Sequence, residues 1–224
     1  MITFKVLGLL MSYPKPDWIS HLDECTALLM EEDFLPKKHL REVLAFIEEL
    51  KAADIYSAQE EFVATFDRGR SHSLHLFEHI HGESRDRGQA MVNLSDAYEE
   101  KGFIIDQAEL PDYIPLFLEF LSQIPVDEAL ELLGEPIDIV ATIAARLKER
   151  GSSWYVVFDA LVALSRVRPS QDRIDEVLAR GQEDNSLEAL DKEWEEAAAF
   201  AGQPDQSDCR ACAAPANGLN VKIS

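Results

Sequence analysis

FDRGRSHSLHLFEHIHGESRDRGQAMVNL, residues 66–94, places Leu74, Phe77 and Ile80 at helical spacing between Gly69 and Gly82. Ser84 then stands where a helix cap is wanted, ahead of Met91, Leu94 and Tyr98, and Gly102 closes the run. Apolar residues recurring every three or four positions between glycine stops predict short amphipathic helices. The polar residues are unusual as well. Arg68, Arg70, Arg85 and Arg87 appear without a lysine, interleaved with His72, His75, His79 and His81 and with Glu and Asp.

The same spacing extends in both directions, and no stretch alternates convincingly as a strand. Upstream, Phe4, Leu7 and Leu10 share one face of a helix that stops near Pro14. Leu22, Cys25, Leu28 and Leu29 mark another, as do Leu40, Leu44, Ile47 and Leu50. Asp54 is a natural N-cap for a helix carrying Ile55, Ala58, Phe62 and Phe66, with Gly69 as its stop. Downstream, a helix is expected to begin near Pro111, with Tyr113, Phe117, Phe120, Leu121 and Ile124 as its apolar side. Pro115 fits there only in the first turn, where a missing N–H costs nothing. Pro136 opens a helix with Ile139, Val140, Ile143 and Leu147, stopped by Gly151. Trp154, Val157, Phe158, Leu161 and Leu164 mark the next, and a weaker pattern runs from Ser186 to Phe200. The reading is all-α: a single globular helical domain over residues 1–200 with about nine to eleven helices. Residues 201–224, rich in Gly, Pro, Gln, Asp and Ala, are expected to form a disordered tail.

Composition narrows the function classes. A chain of 224 residues with a net charge of −21 is a poor nucleic-acid binder and suits a partner carrying positive charge. Three cysteines, Cys25, Cys209 and Cys212, do not make a disulfide scaffold. The start, MITFKVLGLLMSYP, lacks a basic region and a small-residue cleavage site, so no secretory signal is read there. The best apolar run, WYVVFDALVAL, is short and interrupted by Asp159, far from the roughly 18–20 residues that span a bilayer. A reduced cytoplasmic compartment is expected. There is no phosphate-binding glycine loop, dinucleotide fingerprint or nucleophile elbow.

Four features carry candidate chemistry, each with a plain structural alternative. His75 and His79, four residues apart on the expected short helix, could face a metal ion with Glu78, Glu83 or Asp86, or could simply be hydrogen-bonded histidines. Cys209-x-x-Cys212 has the spacing of half a zinc site or a redox dithiol, yet it lies in the tail. The arginines either lock this connection to carboxylates or form the wall of a groove. On the helix after Pro111, Asp112, Leu116 and Glu119 follow one face, setting two carboxylates about 10 Å apart along the axis. With Tyr113 beside them they could receive a basic, apolar peptide; alternatively Asp112 is an N-cap and Glu119 a solvated acid.

Residues 66–91 together with ELPDYIPLFLEFL closely resemble the NarJ-type assembly chaperones of membrane-bound respiratory nitrate reductase, within the wider TorD/DmsD-like family of redox-enzyme maturation chaperones. The resemblance reaches from the first helix to about Glu196. It implies a TorD-like all-helical fold and a cytoplasmic protein that is neither an enzyme nor part of the finished one, with no cofactor of its own. It further implies binding of the apo catalytic subunit through an N-terminal, twin-arginine-like leader. That subunit would be held ready for molybdenum-cofactor and iron–sulfur insertion before it docks on its membrane anchor. Contact with molybdenum-cofactor biosynthesis proteins is a further implied partnership; membrane contact would be indirect, through the client. The wider family's E-P-x-D-H signature is matched here by Pro111 and Asp112, whereas Leu110 and Tyr113 depart and Glu109 stands one place early. The expected client-binding residues are Asp112, Tyr113, Leu116, Glu119 and Phe120, with Leu74, Phe77, His81, Arg85 and Arg87 from the segment at 66–94. The rival expectation is a helical metal-binding enzyme built on His75, His79 and neighbouring carboxylates.

Overall fold

Helical spacing of the apolar residues is realised almost everywhere. A computed structural model describes residues 1–68, 70–81, 85–105 and 109–179, with the side chains of Arg70, His81, Arg85, Asp86, Glu176, Val177 and Ala179 outside that description. In chain order the helices are α1 (Ile2–Leu10), α2 (Pro16–Ile19), α3 (Leu22–Glu32), α4 (Lys37–Ala52), α5 (Ile55–Phe62), α6 (Glu78–His81), α7 (Arg85–Glu100), α8 (Ile114–Gln123), α9 (Val126–Gly134), α10 (Ile137–Arg150), α11 (Tyr155–Leu164) and α12 (Gln171–Ala179). A π-helical segment, Val63–Asp67, and a 3₁₀ turn, Arg70–His72, lie between α5 and α6. Among the described residues ten α-helices have eight residues or more, as the spacing predicts, and α2 and α6 are single turns. All of them fall in one compact unit, Met1–Glu183. Gly69, Gly82, Ser84, the helix expected at 186–200, the boundary near residue 200 and the pair Cys209–Cys212 lie outside the described residues.

The local punctuation works as read. Asp54 Oδ2 accepts hydrogen bonds from the N–H groups of Tyr56 and Ser57, both 3.1 Å, and so caps α5. Gly151, at φ 76°, ends α10 in the left-handed conformation that a side chain would resist. Among the described residues no helix is long and apolar enough to cross a membrane.

Two expectations need correction. Leu74, Phe77 and Ile80 do not share a helix: α6 holds only four residues, and before it stand a bridge residue, His75, and a turn at Leu76 and Phe77. His75 pairs with Tyr113 in an isolated antiparallel bridge, with Leu76 N–H donating to Asp112 O (3.0 Å) and Ile114 N–H to Leu74 O (2.8 Å). Backbone donors that a helix would satisfy internally are satisfied here by a distant segment, so the helical pattern is overridden. The helix expected from Pro111 begins later, at Ile114, with Tyr113 as N-cap and Pro115 in the first turn. Asp112 is therefore not its cap.

The core is organised around Trp154, 1% exposed, whose indole N–H donates to Leu10 O at 3.0 Å. Phe46, Phe66 and Phe62 meet it edge-on, with ring centroids 5.3, 5.8 and 5.9 Å away. These contacts join α4, α5, the π segment and the end of α1 to the start of α11. Helix α1 runs antiparallel to α8. Lys5 Nζ lies 3.6 Å from Glu119 and Gly8 faces Pro115, where a Cβ would come within 3.1 Å of the Pro115 carbonyl oxygen. At the other end of α1, the Glu32 carboxylate accepts the N–H groups of Ile2 (2.8 Å) and Thr3 (2.7 Å), satisfying orphan donors of the helix N-terminus. Burial would raise the Glu32 pKa, but its bonds from Thr3 and Ile2 outweigh that and hold it below the usual carboxylate value.

The close approach at Gly8 leaves no room for a branched side chain. Gly8→Val is expected to destabilise the fold by about 1–3 kcal/mol, read as a lower urea midpoint at an unchanged slope.

Candidate functional site

The centre of the site is a buried carboxylate. Asp112, which no part of α8 carries, is 0% exposed. His75 Nδ1–H donates to its Oδ1 (3.3 Å), and the Phe77 N–H donates to its Oδ2 (3.1 Å). The Arg87 guanidinium, on α7, lies 3.8 Å from Oδ2 and donates to Glu78 Oε1 at 3.1 Å. Burial alone would raise the Asp112 pKa. The bonds from His75 and Phe77 and the charge of Arg87 override that, keeping the group ionised and below its ordinary value. Asp112, expected at an exposed rim beside Glu119, is thus an internal clamp that ties residues 75–78 and α7 to the start of α8. Of the two readings of the arginines, Arg87 takes the ion-pair lock.

The other histidines of the segment are held separately. His79 Nε2–H donates to Ser73 O at 2.8 Å, and burial depresses its pKa. His72 Nδ1 is 3.1 Å from Ser71 Oγ, and burial next to Arg150 and Arg146 pushes its pKa down to about 4. Those two arginines were not singled out in the sequence. Arg146 donates to Ser71 O and Arg150 to Ala64 O, both at 2.9 Å, so α10 braces the segment from behind. The metal reading requires His75 and His79 to share a helix face and converge. Instead His75 is in the bridge, each ring has its own partner, and among the described residues no three metal-ligating side chains gather.

On the outer side of the clamp, α1 and α8 border an open cleft of about 250 Å³. Tyr113, Leu116 and Glu119 line it from the expected set, joined by Lys5, Gly8, Leu9 and Glu109. Tyr113 is half-buried, and its ring lies 5.4 Å from that of His75. Burial, with Glu109 and Asp67 adding negative charge, pushes its phenol up to about 12. Phe120 and Leu74, expected at a binding surface, are core residues at 3% and 5% exposure; Phe120 packs on Tyr98, ring centroids 4.5 Å apart. Phe77 is half-buried against the core. The side chains of His81 and Arg85 lie outside the described residues. Lys5, Leu9 and Glu109 were missed by sequence reasoning. Gly8, inside an otherwise apolar helix, was the available signal, since glycine there marks close backbone approach.

Two expectations follow. Asp112→Ala should lower stability by about 3 kcal/mol, because it orphans the Phe77 N–H and leaves His75 and Arg87 facing an empty position; faster amide exchange at Phe77 would localise the loss. Stability should also fall as the pH drops from 6.5 towards about 4. Over that range the unfolded chain takes up protons that folded His72 and His79 refuse, at up to about 1.4 kcal/mol per pH unit for each group. Asp112 extends the loss below pH 3.8, since its folded value lies under the ordinary one. Urea unfolding at several pH values reads this directly, and His72→Gln should flatten the upper part of the curve.

The chain matches the family model described as nitrate reductase delta subunit over residues 30–160. It is 40% identical over 196 residues to the nitrate reductase molybdenum cofactor assembly chaperone NarJ of Escherichia coli K12, covering 88% of this chain and 83% of that protein. It is 33% identical over 165 residues to a Bacillus subtilis protein named "Probable nitrate reductase molybdenum cofactor assembly chaperone NarJ", covering 72% of this chain and 87% of the relative. The crystal structure of a candidate redox enzyme maturation protein from Archaeoglobus fulgidus superposes with a TM-score of 0.53 at 23% identity, over 70% of this chain and 88% of the other, a likeness of fold. The helical architecture, the residues matched and the extent of identity together make this chain a member of the nitrate reductase delta subunit family, of the NarJ type.

Proposed function

We propose that this protein is a dedicated assembly chaperone for a membrane-bound respiratory nitrate reductase. The observation that carries the reading is the 40% identity to a nitrate reductase molybdenum cofactor assembly chaperone across 88% of the chain. In this reading the protein binds the apo catalytic subunit and keeps it open for molybdenum-cofactor and iron–sulfur insertion. It then leaves before the finished enzyme works at the membrane. It catalyses no reaction, acts in the cytoplasm, and meets the membrane only through its client. Proteins of molybdenum-cofactor biosynthesis are its further partners.

The chemistry of the chain supports a holdase. A net charge of −21 attracts a basic segment from a distance, and no nucleotide-binding motif provides a powered cycle. The client's N-terminal leader-like segment is the natural ligand, bound as a helix or extended chain along a groove with apolar anchors inside and acids at the edge. Tyr113, Leu116 and Glu119 are the client-facing residues in this account. Asp112, Arg87, Leu74, Phe77 and Phe120 support that face from behind, and His81 and Arg85 are further client-contacting residues in this reading.

Affinity capture from nitrate-respiring cells tests the proposal. The expected result is recovery of the catalytic subunit lacking molybdenum cofactor, together with cofactor-poor, inactive nitrate reductase in cells deleted for this protein. Unchanged nitrate reductase activity in the deleted cells and no catalytic subunit on the resin would overturn it.

A further inference from the structure

The cleft between α1 and α8 has a feature that neither the family nor the site description explains. Its lining combines the apolar surfaces of Leu9, Pro115 and Leu116 with two acids, Glu109 ahead of α8 and Glu119 near the end of that helix. Because the two helices are antiparallel, Lys5, the one cation among the described lining residues, falls opposite Glu119, with Nζ 3.6 Å from Oε1. Both side chains are about half exposed, at 53% and 48%. An ion pair this wet and this long contributes little to stability. It is therefore easily exchanged for a better cation. The space, about 250 Å³, is below the usual range for a cofactor pocket and suits one or two side chains.

We propose that the α1–α8 cleft receives a basic–apolar pair of residues from the client's leader-like segment, the Lys or Arg taking over Glu119 from Lys5 while its apolar neighbour lies on Leu9, Pro115 and Leu116. Lys5 is then an internal placeholder. It holds Glu119 in position in the free protein and raises the threshold for weakly basic competitors, because any occupant must displace it. Arg is favoured over Lys as the incoming residue, since its fork can engage both carboxylate oxygens, whereas Lys5 approaches one. The negative field from Glu109 and Asp67 around the Tyr113 phenol favours a second positive residue towards that end. This inference rests on the chaperone reading and adds where the segment sits and what it must displace.

The test measures binding of a synthetic peptide, the first twenty residues of the catalytic subunit, to the full chain by calorimetry at 50 and 500 mM salt. Glu119→Gln should weaken binding about five- to tenfold at low salt and much less at high salt. Lys5→Met should tighten binding about threefold, and only while Glu119 is present. Lys37→Met, an exposed lysine on α4, controls for the general change in charge and should do less than Lys5→Met. Equal thermal midpoints check that these surface variants fold alike. Unchanged affinity in Glu119→Gln and Lys5→Met overturns the placement, as does an equal gain from Lys37→Met. No peptide binding by a chain that still captures the catalytic subunit overturns it too. Failure to capture that subunit at all removes the chaperone reading itself, so the two failures are distinct.

Discussion

A fully buried, ionised carboxylate has to be neutralised by its surroundings, and here that requirement holds the site together. Asp112 is surrounded by the His75 ring, the Phe77 N–H and the Arg87 guanidinium, which come from the bridge and turn before α6 and from α7. The backbone on either side of it completes the antiparallel bridge to residues 74–76. A charge placed at 0% exposure would be strongly unfavourable without these partners. Its satisfaction therefore fixes where α8 begins and which of its faces turns outward.

That orientation carries into the packing. With the start of α8 held by the clamp, its apolar side faces α1, and Gly8 lets the two backbones approach closely. The end of α1 is held in turn by the Trp154 indole at the Leu10 carbonyl, and its beginning by Glu32. The cleft is what remains where Lys5 and Leu9 on one helix and Leu116 and Glu119 on the other do not fill the space between them. The Lys5–Glu119 ion pair in its lining is about half exposed, whereas Asp112 and Trp154 are buried.

Three histidines of the segment, His72, His75 and His79, are held by separate local partners rather than gathered at one point. Each described ring in the segment is bound by a local carbonyl, hydroxyl or carboxylate, and burial favours the neutral form of His72 and His79, in His79 against the bond to Ser73 O. Arg146 and Arg150 donate from α10 to the backbone carbonyls of Ser71 and Ala64, so these positive charges help hold the chain path there.

What was legible in the residues alone was whatever depends on near neighbours. The stop at Gly151, the cap at Asp54, the proline at the start of α10 and the apolar stripes of α4, α8, α10 and α11 could all be read directly, because each is decided within one or two helical turns. The all-α class and the family likeness followed from the same local signals and from the long motif at residues 66–94. The roles of Asp112 and Leu74 could not be read this way, and that of Arg87 only as one of two alternatives. Asp112 meets His75 and Phe77 across 37 and 35 residues, and nothing near it in the chain signals burial. A local reading makes it a cap; long-range hydrogen bonding makes it a clamp. Lys5 and Glu119 are likewise ordinary surface charges until antiparallel packing at Gly8 sets them face to face. Periodicity and capping are short-range and so determine the helices, whereas desolvated charge and close backbone approach take effect only once distant segments meet, and they decide the site.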